Sequence, residues 1–247
     1  MLFDLKGKRR RAVQGTYLTL AILMGAGLVL FGIGSNQQGG LSELFGGGNG
    51  SNTATASVQK KIDKAEKALA KNPGDTKALA DIVRGHYQLA SASSPTDSTK
   101  ISKKGRGELT KAIEAWEKYL AAEPPKVDTS LAAVAVQAYS TLAQTVTAEA
   151  DDKPAQEAAA KRYWAGAANA TEVIAETKEN SQNYLQLVQF ATLAGQERKA
   201  ELAGQKAIAL APKNQKKEAK QAVEQAKSQA QSQSSGGATT TPALPGQ

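Results

Sequence analysis

The 247-residue chain has no cysteine, a single histidine and only 5% aromatic residues. Without cysteine there is no disulfide framework, no thiolate metal site, no thiol nucleophile and no lipidated N-terminal cysteine. The one histidine, His86, stands beside Tyr87 in the middle of a helical pattern, where it reads as a packing or groove residue rather than a metal ligand or general base. The glycines at 46–48, 105 and 107 lack the preceding strand and the spacing of a phosphate loop. Asp151 and Asp152 occupy a turn and face no second carboxylate that the pattern places, and Trp116 and Trp164 read as core anchors. The expectation is a protein that is not an enzyme and carries no cofactor and no metal.

Hydrophobic residues make up 40% of the chain, drawn mainly from Ala, Leu and Val, a composition that suits stacked helices with thin cores. The formal charge of +8 is concentrated at the two ends and in one internal segment. Lys6, Lys8, Arg9, Arg10 and Arg11 stand against Asp4 at the start, and residues 213–247 carry five lysines against two glutamates. Lys100, Lys103, Lys104 and Arg106 make 91–107 basic, leaving the helical body slightly acidic. A continuous phosphate-tracking groove is not expected, and neither is a nucleic-acid partner.

Residues 12–34 contain no charged side chain. As a helix at about 1.5 Å per residue they measure roughly 34 Å, enough for a hydrocarbon core of about 30 Å. Basic residues crowd the preceding tail, 1–11, while 35–40 are uncharged, so the positive-inside rule predicts a cytoplasmic N-terminus and an extracytoplasmic remainder. A cleaved signal peptide is the competing reading, against which stand the length of the apolar run and the lack of an A-x-A site. Residues 35–57, rich in Gly, Ser, Asn and Thr, read as a flexible linker with a reach of about 25 Å.

Beyond the linker the apolar spacing is helical. Val58 to Lys71 places Ile62, Ala65, Ala68 and Leu69 on one face and runs into Asn72-Pro73-Gly74-Asp75, a turn with a helix cap at Asp75. Thr76 to Ala90 carries Leu79, Ile82, Val83 and Leu89, and Glu108 to Glu123 carries Ala112, Ile113, Trp116, Tyr119 and Leu120 before Pro124. Between these helices 91–107 reads as a basic insertion, a mobile loop carrying Lys100, Lys103, Lys104 and Arg106. Thr129 to Val146 and Pro154 to about Thr177 form the next pair.

The most regular stretch is Ser181 to Asn214. Tyr184, Leu187, Val188 and Ala191 form one stripe, Gly195 ends that helix, and Ala200, Gly204, Ala207 and Ile208 form the next stripe before Pro212. Gln215 to Gln229 is helix-favouring and almost wholly polar apart from Ala219, Ala222, Val223 and Ala226, as a capping helix would be, and 232–247 has no periodicity and reads as a disordered tail.

Tyr184, Leu187, Val188, Ala200, Ala207 and Pro212, in a unit of 34 residues, resemble the tetratricopeptide repeat (TPR). Ala191 and Gly204 depart from that pattern, which usually has aromatic residues there. The resemblance implies an all-α fold: a TPR-like α-solenoid over 58–231, with about three helical hairpins, a leading helix and a C-terminal capping helix, preceded by one transmembrane helix. In that family the first helix of each hairpin lines a concave groove for a peptide or a partner's helix. By matching places, the groove candidates are Lys77, Arg84, Tyr87 and Gln88, then Gln137, then Gln182, Leu185 and Gln189. The family's clamp on a C-terminal carboxylate is not reproduced, since Ala80 stands for its first lysine and Arg84 for an asparagine.

The layout of basic tail, single span, tether and small repeat domain is similar to that of the YfgM-type ancillary subunits of the Sec translocon. Residues 30–35 at the end of the span are similar to the anchors of membrane-bound foldases that work beside them. The functional expectation is a membrane-tethered scaffold for protein–protein interactions on the outer side of a bacterial cytoplasmic membrane, ancillary to Sec-dependent secretion or chaperone recruitment. The expected partners are a protein or peptide in the groove, lipid around the N-terminal helix, and the Sec translocon or a membrane-anchored foldase. The alternative is a structural envelope-assembly factor acting by self-association.

Overall fold

The computed structural model describes residues 51–93, 101–149 and 153–234. They form α1 (Ser51–Lys71), α2 (Thr76–Ala92), α3 (Lys103–Ala121), α4 (Thr129–Glu149), α5 (Lys153–Thr177), α6 (Ser181–Leu193), α7 (Glu197–Leu210), a 3-10 turn (Lys213–Gln215) and α8 (Lys216–Ser234). No strand occurs among the described residues, so the class is all-α. Residues 1–50 are a separate unit. The basic tail, the expected transmembrane helix at 12–34 and most of the expected linker therefore lie outside the described residues, as does most of the tail at 232–247. Among the described residues no helix is long and apolar enough to cross a membrane.

Local chemistry sets the boundaries. The Asp75 carboxylate accepts from the backbone N–H groups of Lys77 and Ala78, both at 3.0 Å, and so caps α2 after the Asn72-Pro73-Gly74 turn. Ser102 caps α3 through Gly105 N–H at 3.0 Å, and Asn180 caps α6 through Asn183 N–H at 2.8 Å. At the end of α6, Gly195 adopts φ +72°, its N–H donates to Thr192 O, and Gln196 N–H donates to Ala191 O at 2.8 Å. This is a Schellman turn, which needs a residue at ease in the left-handed region.

Two boundaries differ from the sequence expectation. Helix α1 takes in 51–57, which the sequence pattern assigned to the linker, because no glycine or proline interrupts the chain from Ser51 to Asn72. The expected basic loop at 91–107 is much shorter. Ser91 and Ala92 belong to α2, and Lys103, Lys104 and Arg106 occupy the first turns of α3. Gly105 is buried there because the chain passes close: a Cβ on it would lie 2.7 Å from Ile101 Cγ1 and 3.2 Å from the Ala90 carbonyl oxygen. Lys100 lies outside the described residues.

Each helix packs on its neighbour in sequence; in addition α2 packs on α4, and α8 packs on both α6 and α7. Helices α4 and α6 do not pack on each other, so the part from α1 to α5 meets the part from α6 to α8 through α5 on α6. The first part buries Leu79, Val83, Leu109, Leu131 and Trp116, whose ring stacks on Tyr119 at 5.6 Å. The second buries Tyr184, Leu187, Val188, Ala200, Ala207 and Val223. Gly204, where the repeat pattern calls for an aromatic residue, lies against α8: a Cβ there would stand 2.9 Å from Val223 Cγ1.

Helices α4 and α5 make the most extensive helix–helix contact, and Ala132, Ala138 and Ala143 of α4 and Ala167 and Ala170 of α5 are fully buried. Gly166 lets α5 approach closest, since its Cβ would fall 2.3 Å from Tyr139 Cε1. Gly166→Ala should push the Tyr139 ring off its bond to Glu117 and cost ~1–3 kcal/mol of stability by overpacking. Gly107, with nothing within 4 Å of its Cβ position, is the control. Gly107→Ala should raise stability by ~0.5–1 kcal/mol through helix propensity, both changes being read by urea denaturation.

Candidate functional site

Two places on the surface gather polar side chains onto an apolar base: the adjoining faces of α2 and α4, and a cleft between α5 and α7. The first holds five of the eight groove candidates. Lys77 is exposed, whereas Arg84, Tyr87, Gln88 and Gln137 are half-buried. Burial pushes the Tyr87 phenol above its ordinary range, as expected of a hydroxyl with little water around it. Gln182, Leu185 and Gln189 sit on α6, which does not pack on α4, so the structure divides the candidates into one group on α2 and α4 and a second on α6. Of that second group Gln182 is exposed, Gln189 is half-buried and Leu185 packs against the core.

Arg84 makes a tertiary tie. Its Nη2 donates to the Asp128 carboxylate, which also accepts from Ser130 N–H at 2.9 Å and Leu131 N–H at 3.3 Å. Asp128 is therefore the cap of α4. Its own N–H donates to the Tyr119 hydroxyl at 3.0 Å, so α2, α3 and α4 converge on one residue. Burial alone would raise the Asp128 pKa, but the Ser130 hydrogen bond, the Arg84 charge and the capped backbone N–H groups together hold it below the usual carboxylate range.

His86 has the packing role expected of it. It is buried, and its Nδ1 donates to Glu108 Oε2 at 2.7 Å across the α2–α3 hairpin, while Lys111 Nζ reaches the other oxygen at 3.2 Å. Burial pushes the Glu108 carboxyl up, and the His86 and Lys111 hydrogen bonds and charges outweigh it, so its pKa lies below the ordinary value. Among the described residues no group of three or more His, Asp or Glu side chains is placed to hold a metal ion.

The cleft was not anticipated from the sequence. It encloses about 610 Å³ and is bottomed by Tyr184 and Leu187 of α6 and Ala203 of α7, all nearly fully buried. Glu172 and Glu176 form its α5 wall, and Arg198, Lys199, Leu202 and Lys206 form most of its α7 wall. Lys199 Nζ crosses the cleft to Glu172 Oε2 at 2.6 Å and to Asn169 Oδ1 at 2.9 Å. Lys206 Nζ lies 5.0 Å above the Tyr184 ring and donates to its hydroxyl at 3.1 Å, and the hydroxyl donates to Glu179 at 3.3 Å. The Tyr184 bond first, then Glu179 and Glu176, push the Lys206 ammonium up. Gln196 Oε1, at the cleft edge, is buried with no hydrogen-bond partner.

One signal in the sequence could have found this place. Leu202 lies off the Ala200, Gly204, Ala207 stripe of α7, between Lys199 and Lys206, and it is 54% exposed.

No protein-family model, curated protein or solved structure matches this chain.

The Arg84–Asp128–Tyr119 junction yields a stability test. Asp128→Ala should cost ~1–2 kcal/mol at pH 7 through the lost cap. Because the folded pKa of Asp128 is depressed, its contribution is complete above the unfolded value of about 3.9 and fades as pH falls through the lower folded value. The difference between wild type and Asp128→Ala in chemical denaturation should accordingly shrink below about pH 4.

Proposed function

We propose that this chain is a membrane-tethered helical-repeat scaffold. On this reading the α2 and α4 faces receive a polypeptide partner on the extracytoplasmic side of the cytoplasmic membrane. The observation that carries the reading is the side-by-side packing of α2 and α4, the first helices of successive hairpins, with Tyr87, Gln88 and Gln137 half-buried between their solvent and core sides. Half-buried amides and a half-buried phenol offer donors, acceptors and apolar area together, which is what a peptide backbone with intermittent side chains requires. The Arg84–Asp128 bond supports it by fixing the angle between the two helices, so that little order has to be created on binding.

The hairpin from Ser181 to Leu210 supports a repeat origin. Its turn falls at Gly195, and the Ser181 hydroxyl donates to the Ala207 carbonyl at 2.7 Å, closing the hairpin at its open end. The uncharged stretch at 12–34, with its basic flank, supports the membrane location, and the overall layout supports a secretion-associated role, ancillary to the Sec translocon or recruiting a foldase.

Photo-crosslinking residues at Gln88 and Gln137 of the full-length chain, in native membranes, should capture a translocon subunit or a membrane-anchored foldase. One at exposed Lys64 on α1 should not. Replacing Gln88 and Gln137 together by arginine should weaken that association by about tenfold, the scale of a central interface contact. Capture of neither partner at either position defeats the secretion reading, and an identical pattern from Lys64 defeats the groove.

A further inference from the structure

The cleft between α5 and α7 has a charge pattern that fits one kind of occupant. Its α5 rim carries Glu172 and Glu176, its α7 rim carries Arg198, Lys199 and Lys206 against Glu197, and its floor is apolar. Leu202, the most exposed large apolar residue among those described, projects from the basic rim. Part of this charge is already used inside the chain, Lys199 by Glu172 and Lys206 by the Tyr184 hydroxyl. Among the described residues Glu176 and Arg198, both exposed, make no side-chain hydrogen bond, and Glu176 stands near enough to Lys206 for its charge to help raise that pKa. We infer that the cleft is the contact surface for a second copy of this chain.

The argument is one of symmetry. A groove with an acidic rim facing a basic rim is its own complement under one particular rotation. A two-fold axis running along the groove lays the basic α7 rim of each copy over the acidic α5 rim of the other. An axis running across the groove would set acid on acid and base on base, so the charge pattern selects the orientation as well as the partner.

The Lys199–Glu172 and Lys206–Glu179 contacts at 2.6 and 3.9 Å give the register of α7 beside α5, and it places Glu176 between Leu202 and Lys206 along the groove. In the two-fold arrangement Glu176 therefore meets Lys206 of the second copy, twice by symmetry. The Leu202 side chains enter the apolar centre, where the floor of Tyr184, Leu187 and Ala203 receives them. This contact uses none of the α2 and α4 residues in the proposed partner-binding face, so either reading can fail while the other stands.

Two charge reversals test it in trans, using the full-length chain in mild detergent and its mass by sedimentation velocity. Wild type should be dimeric at about 50 µM, in the range of a weak, charge-steered interface. Glu176→Lys and Lys206→Glu should each raise the dimer dissociation constant by at least about tenfold, because each turns two attractions into two repulsions. An equimolar mixture of the two variants should regain the dimer, since every new lysine then faces a glutamate across the axis while the charges within each chain remain mismatched.

The absence of cysteine allows a second measurement without background. Leu202→Cys should give a dimer with a flexible bis-maleimide, and Lys64→Cys on α1 should not. A monomeric wild type, a mixture that stays monomeric, a different protein held in the cleft, or equal crosslinking from both cysteines overturns the inference.

Discussion

The close approach of α4 and α5 is the constraint on which the rest of the molecule depends. Helix α4 receives α2 and α3 on one side, and α5 passes the contact on to α6. Without a tight α4–α5 seam the two halves of the domain would share no rigid connection. The seam is tight because small side chains lie on both helices: alanines of α4 and α5 are fully buried, and Gly166 lies against the Tyr139 ring. Small residues give up area per side chain but bring backbones together, and the dense packing that follows recovers dispersion energy over the length of the contact. Tyr139 is the exception that locks it. Its hydroxyl donates to Glu117 of α3 at 2.8 Å, and burial together with that carboxylate keeps its proton well beyond the ordinary phenol range, so it stays a neutral donor.

Among the described residues several of the few aromatic side chains each fix more than one element. Trp116 and Tyr119 stack in the α3 core, and the Tyr119 hydroxyl accepts the N–H of the residue that caps α4. Trp164 of α5 stacks on Phe190 of α6 at 5.8 Å, at the junction between the two halves. Tyr184 is both part of the α6 core and the ring beneath Lys206. Polar tips bond across helices while ring faces fill the core, which is how a sparse set of aromatics substitutes for a thick apolar layer.

Much of the fold was legible because helix signals are local. The caps at Asp75 and the turn at Gly195 depend on a few adjacent residues, and the Tyr184, Leu187, Val188, Ala191 stripe depends only on helical period. What escaped depends on residues distant in sequence. Gly105 looked like loop flexibility, and its meaning came from Ile101 and Ala90 standing against it. On α5 the buried residues include Ala160, Trp164, Ala167, Ala168, Ala170, Thr171 and Ala175, which sequence could not single out because an alanine-rich helix has no strong apolar side to read. Arg84 matched a groove place by register, and only the fold shows that Asp128, 44 residues later, takes its guanidinium.

The cleft follows from the same economy of side-chain volume. In the last hairpin Ala191 and Gly204 carry little or no side-chain volume. At Gly204 the missing volume is supplied by Val223, which is why α8 can lie so close on that side. On the side facing α5 no further helix arrives among the described residues, and α5 and α7 are left apart with the floor of α6 showing between them. The apolar floor is bordered by charged side chains, with the Lys199 ammonium held by Glu172 and Asn169 and the Lys206 ammonium by the Tyr184 hydroxyl. That arrangement needs opposite charges on the two rims, or the groove would be forced open by its own repulsion. The polarity that stabilises the empty cleft in one chain is therefore the polarity that makes two chains complementary.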